Sequence, residues 1–399
     1  MTRAVALSVY LPVLLFEIGM GAILPVVALS AVEMGASLAG AAVVVAMLGI
    51  GQIVGDVPAG ALATRLGDRR AMGWAAAVAV LLLVGVALAP GVVLLSVCLL
   101  LLGATNSVFL LARHSYLTET TPVLRLGRAL STLAGLQRIG LFIGPFLGAG
   151  VIHLADLRAT YWLAVATSLA AALVIWVVPD DSTHERQEHP AVPLGRVFRD
   201  HRQVFVTLGV AVLLVGAARG SRQTVLPLWS EHLGLSPATT SIIFGLSGAV
   251  DMLLFYPAGK VMDRRGRLWT AIPSMLVLAL GFAALPLTST VAGLTGVALL
   301  IGLGNGMGSG ILMTLGADVA PPATRAQFLG IWRLFQDAGS AGGPLVVAGV
   351  AALGSLAAGI ATMAAVAAGS AVGLARWAPR WSVHANGTTR RRAREAGVL

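Results

Sequence analysis

The sequence predicts an all-α integral membrane protein in which twelve transmembrane helices form two pseudo-symmetric bundles of six. Three observations predict it. The chain is 57% hydrophobic and only 11% charged, with a mean hydropathy of +0.88, whereas soluble domains carry about 25% charged residues. Apolar runs of roughly 20 residues recur along its whole length, each enough to cross a hydrocarbon core of about 30 Å as a helix. One short phrase also occurs twice. Pro58-Ala59-Gly60 is followed by Leu62, Arg65, Gly67, Arg69 and Arg70, and Pro257-Ala258-Gly259 by Asp263, Arg264, Gly266 and Arg267. Gly60 and Gly259 stand 199 residues apart in a chain of 399, so the duplication divides the chain at its midpoint.

The spans follow in order. Arg3 and the apolar run behind it imitate a signal peptide, but Glu17 interrupts that run and it continues to Ala31, so it reads as a retained first helix. The first half then places spans at roughly 4–30, 37–63, 71–90, 92–114, 128–152 and 159–179. The second half places them at roughly 203–229, 237–262, 270–288, 290–316, 327–352 and 355–377. Gly and Pro, 48 and 18 of them, argue against helix in water. In a bilayer both are tolerated, because small residues let helices approach and freed backbone groups find partners within the bundle. Cys98 falls inside an apolar run and reads as a small buried residue.

The halves are residues 1–179 and 203–377, joined by a polar, Pro-containing linker at 180–202 and followed by a basic tail at 378–399. His184 and His189 in the linker read as solvated loop residues, and the tail as flexible and solvated. Asn386 opens a glycosylation sequon to which no role is assigned. Lys and Arg gather on one side of the spans, with essentially Arg158 alone on the other. The positive-inside rule therefore puts both termini in the cytoplasm. Lys260 is the only lysine, an arginine bias that points to a GC-rich bacterial genome and a bacterial inner membrane.

The net charge of +10 is accounted for by these loops, so no nucleic acid is implied. No H-E-x-x-H, C-x-x-C, G-x-S-x-G or Walker A pattern is present. The sequence therefore implies neither an enzyme nor a resident metal or cofactor. The expected partners are a small-molecule substrate, protons and the lipid bilayer, around a monomer.

The repeat extends beyond the loop phrase. Gln137, Gly140, Gly144 and Pro145 match Gln336, Gly339, Gly343 and Pro344. Leu24-Pro25 matches Leu226-Pro227, and Pro122 and Arg125 match Pro322 and Arg325. Parallel halves related by an axis along the membrane normal describe one class of secondary transporter.

At this point the chain resembles the major facilitator superfamily over nearly its whole length. The loop phrase is similar to that family's signature between spans two and three, Gly-x-Leu-Ala-Asp-Arg-x-Gly-Arg-Arg/Lys. The first copy supplies Gly60, Leu62, Ala63, Arg65, Gly67 and Arg69, with Thr64 in place of the aspartate and Asp68 in place of an arginine. The second supplies Gly259, Asp263, Arg264, Gly266 and Arg267. The resemblance implies that these loops help close the cytoplasmic side. Gly140, Gly144, Pro145 and Gly148, with Ser131 and Ala149, resemble the antiporter signature of span five, which implies exchange of substrate for protons. The arginine early in span four that drug exporters of this family carry is replaced by the apolar run Leu99–Leu102. Arg113 reads as lying near the cytoplasmic end of that span, a poor substitute.

Ionisable residues at membrane depth are costly and therefore functional candidates. Glu17 sits mid-span one and Arg138 mid-span five, Arg219 and Arg222 lie in span seven, Asp251 in span eight and Asp337 in span eleven. Repeat alignment sets Glu17 opposite Arg219, and Arg138 opposite Asp337. Burial disfavours a charged carboxylate and a guanidinium favours it, so Glu17 is expected to carry the coupling proton; the resemblance, in which spans one and five are neighbours, implies Arg138 as its ion-pair partner. Asp251 is the second candidate, while Asp56, near the loop, suits gating or structure. The two arginines of span seven would suit an anionic substrate. The resemblance implies a midplane pocket between the halves, for which Asn106, Gln137, Gln223, Trp229, Asn305, Trp332 and Gln336 are the candidate lining. Proton-coupled export of small amphipathic molecules and import of an organic acid both fit this pattern.

Overall fold

The computed structural model describes residues 9–121, 123–178 and 194–395. The linker residues 180–193, with His184 and His189, lie outside the described residues, as do the side chains of Arg125 and Arg128. Nearly every described residue is helical, and no strand occurs among them.

The first six long helices are α1 (Leu11–Glu33), α2 (Leu38–Leu66), α3 (Asp68–Ala87), α4 (Val92–Thr120), α5 (Val123–Leu154) and α6 (Ala159–Val177). The second six are α7 (Arg202–His232), α8 (Pro237–Arg265), α9 (Leu268–Ala284), α10 (Val291–Val319), α11 (Arg325–Leu353) and α12 (Leu356–Trp381). Eleven of these have the length and apolar composition of a membrane span. The other, α11, is 29 residues long but carries Arg325, Arg333 and Asp337 in its first half. Apolar side chains such as Leu81, Val93, Leu253 and Val372 point outward and are about 70% exposed or more, as a surface solvated by lipid requires.

The chain divides into two compact units, Met1–Gln187 with Leu226–Gly245, and Glu188–Val225 with Leu246–Leu399. In the first, α1 lies along α5 and α6, α2 along α4, and α3 along α4 and α6. In the second, α9 lies along α10 and α12, and α11 along α12. Glycines set these approaches. Gly51 and Gly55 bring α2 onto α4, while Gly339 and Gly343 bring α11 onto the backbone of α7. In each case a Cβ would collide with the neighbouring backbone, so the small-residue faces are helix seats.

The repeat is visible at the turns. Gly35 ends α1 at φ +91° and Gly234 ends α7 at φ +69°. In both turns the next amide reaches back five residues, Ala36 to the carbonyl of Ala31 and Leu235 to that of Ser230, the Schellman closure that left-handed glycine allows. Ser37 and Ser236 then accept amide hydrogen bonds from Gly40 and Thr239 at the start of the next helix.

Two expectations need correction. The segments Gly60–Arg65 and Gly259–Arg264 are the last turns of α2 and α8 rather than loops; only Gly67 (φ +80°) and Gly266 (φ +106°) turn the chain. The tail is not free either. The helix α12 runs to Trp381, and a further helix, Gly387–Glu395, follows it. The Asn386 side chain accepts from the Thr389 amide at 2.9 Å and Thr389 Oγ1 accepts from the Asn386 amide at 3.0 Å. This reciprocal cap starts the helix and gives the sequon asparagine a structural role.

Candidate functional site

Glu17 lies in the interior of the first unit, 5% exposed. Its seat is made by the small residues of α5: a Cβ on Gly140 would stand 2.6 Å from that of Glu17. Gly144 presses against the Ile18–Ala22 backbone, and Gly148 meets Ala22. The motif thus sets α5 directly on the turn of α1 that carries the carboxylate.

The partner of Glu17 is Arg113, not Arg138. Arg113 Nη1 donates to Glu17 Oε1 at 2.8 Å, and Nη2 donates to Gln137 Oε1 at 3.0 Å. Arg113 is wholly buried, and its guanidinium lies 5.8 Å from the centre of the Phe109 ring. Phe109 in turn stacks on Phe16 at 4.6 Å. A carboxylate, a guanidinium, an amide and two aromatic rings therefore converge from α1, α4 and α5. By sequence Arg113 reads as near the cytoplasmic end of span four; α4 continues to Thr120, which sets Arg113 well within the helix. The signal available in the sequence is that Phe109 and Arg113, four residues apart, share one face of α4. Arg138 is half-buried on α5.

The second unit holds a different arrangement at the repeat-related place. Arg219 Nε donates to Asn305 Oδ1 at 2.8 Å and Nη1 to the Gly308 carbonyl at 3.1 Å. Asn305 Nδ2 donates to Asp251 Oδ2 at 2.6 Å, and Arg222 stands 3.5 Å from the same oxygen. Ser309 Oγ donates to Asp251 Oδ1 at 3.4 Å. These bonds bracket a break in α10 between Met307 and Ile311, where Gly310 has φ +77°. Four sequence candidates, Arg219, Arg222, Asp251 and Asn305, are brought together here.

Others are placed elsewhere. Trp332 is wholly buried within the second unit, donates to the Leu312 carbonyl at 2.8 Å and has Gly316 against its ring. Trp229 is buried against His232. Asp337 pairs with Arg333 one turn away on α11, at 3.3 Å. The Gln336 carbonyl meets Gly216, and its Oε1 is buried without a hydrogen bond among the described residues. Asn106, Gln223 and Asp56 are half-buried. No cluster of metal-ligating side chains occurs among the described residues.

The duplicated phrases tie helix ends together. In the first, Arg69 donates twice to the Ile175 carbonyl in the last turn of α6, at 2.6 and 3.3 Å, where a cation is favoured. Arg65 and Gly67 are exposed. In the second, Arg267 forks onto Asp318 at 2.9 and 3.2 Å and reaches Asp263 at 3.0 Å. The Asp318 hydrogen bonds hold this guanidinium above its ordinary pKa against the opposing effect of burial. Arg264 is exposed and Gly259 has open space around it.

Comparison with known proteins agrees with the fold. The family model described as Major Facilitator Superfamily matches residues 9–344. A Klebsiella pneumoniae (strain 342) protein, "Multidrug resistance protein MdtH", is 27% identical over 301 residues, 72% of each chain. Among solved structures, the nucleoside transporter NupG superimposes with a TM-score of 0.73 at 15% identity, over 93% of this chain and 97% of its own. A D-xylose-proton symporter superimposes with a TM-score of 0.69 at 16% identity, over 92% and 96%.

Proposed function

This chain belongs to the Major Facilitator Superfamily, a multi-pass membrane transporter of small molecules, and we propose that it exports amphipathic compounds in exchange for protons. The observation that carries the reading is the buried Glu17–Arg113 pair with Gln137 beside it. A charged carboxylate in a membrane interior is held there by its guanidinium partner. When alternating access wets the site, a proton can replace Arg113 on Glu17, and the freed guanidinium keeps Gln137 as its acceptor. Only the charge state of one carboxyl changes, which suits a group that picks up a proton on one side of the membrane and yields it on the other. The Phe16–Phe109 stack, wholly buried beside the pair, keeps its surroundings apolar. The resemblance to a multidrug resistance protein supports export of drug-like molecules. The location is the bacterial inner membrane, with both termini cytoplasmic.

A second reading is favoured by one observation. The Arg219–Asn305–Asp251–Arg222 network presents two guanidiniums, which suits the carboxylate of an imported organic acid. A sugar-proton symporter shares the fold, so the fold does not oppose import.

The test uses energised inverted vesicles containing wild-type protein or Glu17→Gln, with pH followed while compounds are added. Collapse of the acid-inside gradient by wild type alone is the expected result. Equal collapse by both removes Glu17 from coupling and makes Asp251 the next group to test. Equilibration of labelled substrate with no proton movement would sink antiport and leave a uniporter.

A further inference from the structure

The two copies of the loop phrase differ in one respect that no repeat accounts for: the C-terminal segment is built into the second. Beyond α12, Ser382 Oγ donates to Asp318 Oδ2 at 3.2 Å. The carbonyls of His384 and Ala385 accept from the amides of Arg267 and Leu268 at 3.1 and 2.9 Å, which are otherwise unpaired donors at the start of α9. Arg390 Nη1 donates to the Asp263 and Arg264 carbonyls at 2.9 and 3.0 Å, capping the negative end of α8. Gly266 makes room for this: a Cβ there would stand 2.8 Å from the Ala385 carbonyl oxygen and 2.8 Å from Asn386 Cα, whereas nothing lies within 4 Å of the corresponding point on Gly67.

The helix Gly387–Glu395 therefore has an inner and an outer face. Thr389, Arg390 and Ala393 turn inward, and Arg391, Arg392 and Arg394 are exposed. Four arginines in nine residues repel one another, and among the described residues Glu395 pairs with Arg391, at 3.7 Å. The outer face lacks apolar side chains, so it cannot insert into lipid. Its surroundings mark the height of the headgroups: Arg265 lies over the exposed Trp269 at 5.3 Å, and Arg376 and Arg380 over Trp377 at 5.0 and 4.7 Å. Tryptophans are enriched at the membrane–water interface.

We propose that Gly387–Glu395 is a clamp on the α8–α9 turn that reads anionic phospholipid. Acidic headgroups bind Arg391, Arg392 and Arg394, relieve the repulsion within the helix and keep Arg390 on the last carbonyls of α8. In neutral lipid the helix loosens and the turn is released.

The test is hydrogen–deuterium exchange of the full-length protein in nanodiscs of phosphatidylcholine alone or mixed with phosphatidylglycerol. Residues 263–269 and 384–395 are expected to exchange at least about tenfold more slowly with phosphatidylglycerol, as three arginines at an anionic surface would give. The triple variant R391Q/R392Q/R394Q is expected to lose that lipid dependence. Arg390→Gln is expected to leave 263–266 exchanging fast in both lipids. Equal exchange of wild type in the two lipids would overturn the proposal, as would a lipid response that survives in the triple variant. Protection by free inorganic phosphate in phosphatidylcholine would also overturn it, because the ligand would then be a soluble anion.

Discussion

Breaking one side of the Glu17–Arg113 pair leaves the other charge buried in a low-dielectric interior. Arg113→Met is therefore expected to destabilise the protein by about 3–5 kcal/mol. The double variant Glu17→Gln with Arg113→Met removes both charges and is expected to recover much of that loss. Thermal unfolding in a fixed detergent measures both; a double variant that loses the full sum of the two single losses would show that the groups are not coupled. Half of this pair was legible in the sequence. Glu17 announced itself as a charge inside an apolar run, but its partner is chosen by helix rotation and by the distance between α1 and α4. Arg113 reads as near the end of its span, and Arg138 reads as the partner because spans one and five are neighbours in the family the chain resembles.

At the scale of the helix, the same glycine chemistry gives opposite expectations at different sites. Gly140→Val puts side-chain atoms into the backbone of α1 and is expected to cost about 1–3 kcal/mol or more from overpacking, with Glu17 displaced. Gly135→Ala, on the same helix with nothing within 4 Å, is expected to stabilise by up to about 1 kcal/mol through helix propensity. Unfolding midpoints of the two variants test the assignment; equal effects would mean α5 does not seat on α1 as described. A second pair probes the turns. Gly266→Ala and Gly67→Ala both suffer from positive φ, but only the former meets the C-terminal segment. It is expected to be the more damaging of the two, and truncation after Trp381 is expected to bring the pair level. The sequence marked these glycines as a motif; it did not say that the residues before them are helical or that the tail lies against one of them.

For the whole molecule, the arginine distribution is the observation on which the proposed orientation of the chain rests. Reporter fusions after Arg70 and after Glu395 are expected to report cytoplasm, and one after Arg158 the opposite side. A periplasmic signal after Glu395 would overturn the orientation and place the clamp on the wrong face. The sequence by itself determined the class of the fold, because hydropathy, span length and an internal repeat are one-dimensional properties that survive any detail of packing. The repeated phrase also marked Gly67 and Gly266, which stand where left-handed backbone turns the chain. Only the tertiary structure decided which charges meet: Arg113 with Glu17, Arg219 with Asn305, and Arg390 with the end of α8. The physical reason is range. Helix propensity and partition into lipid act on each segment alone, whereas an ion pair is settled within about 4 Å, by rotations and offsets between helices that no single segment encodes.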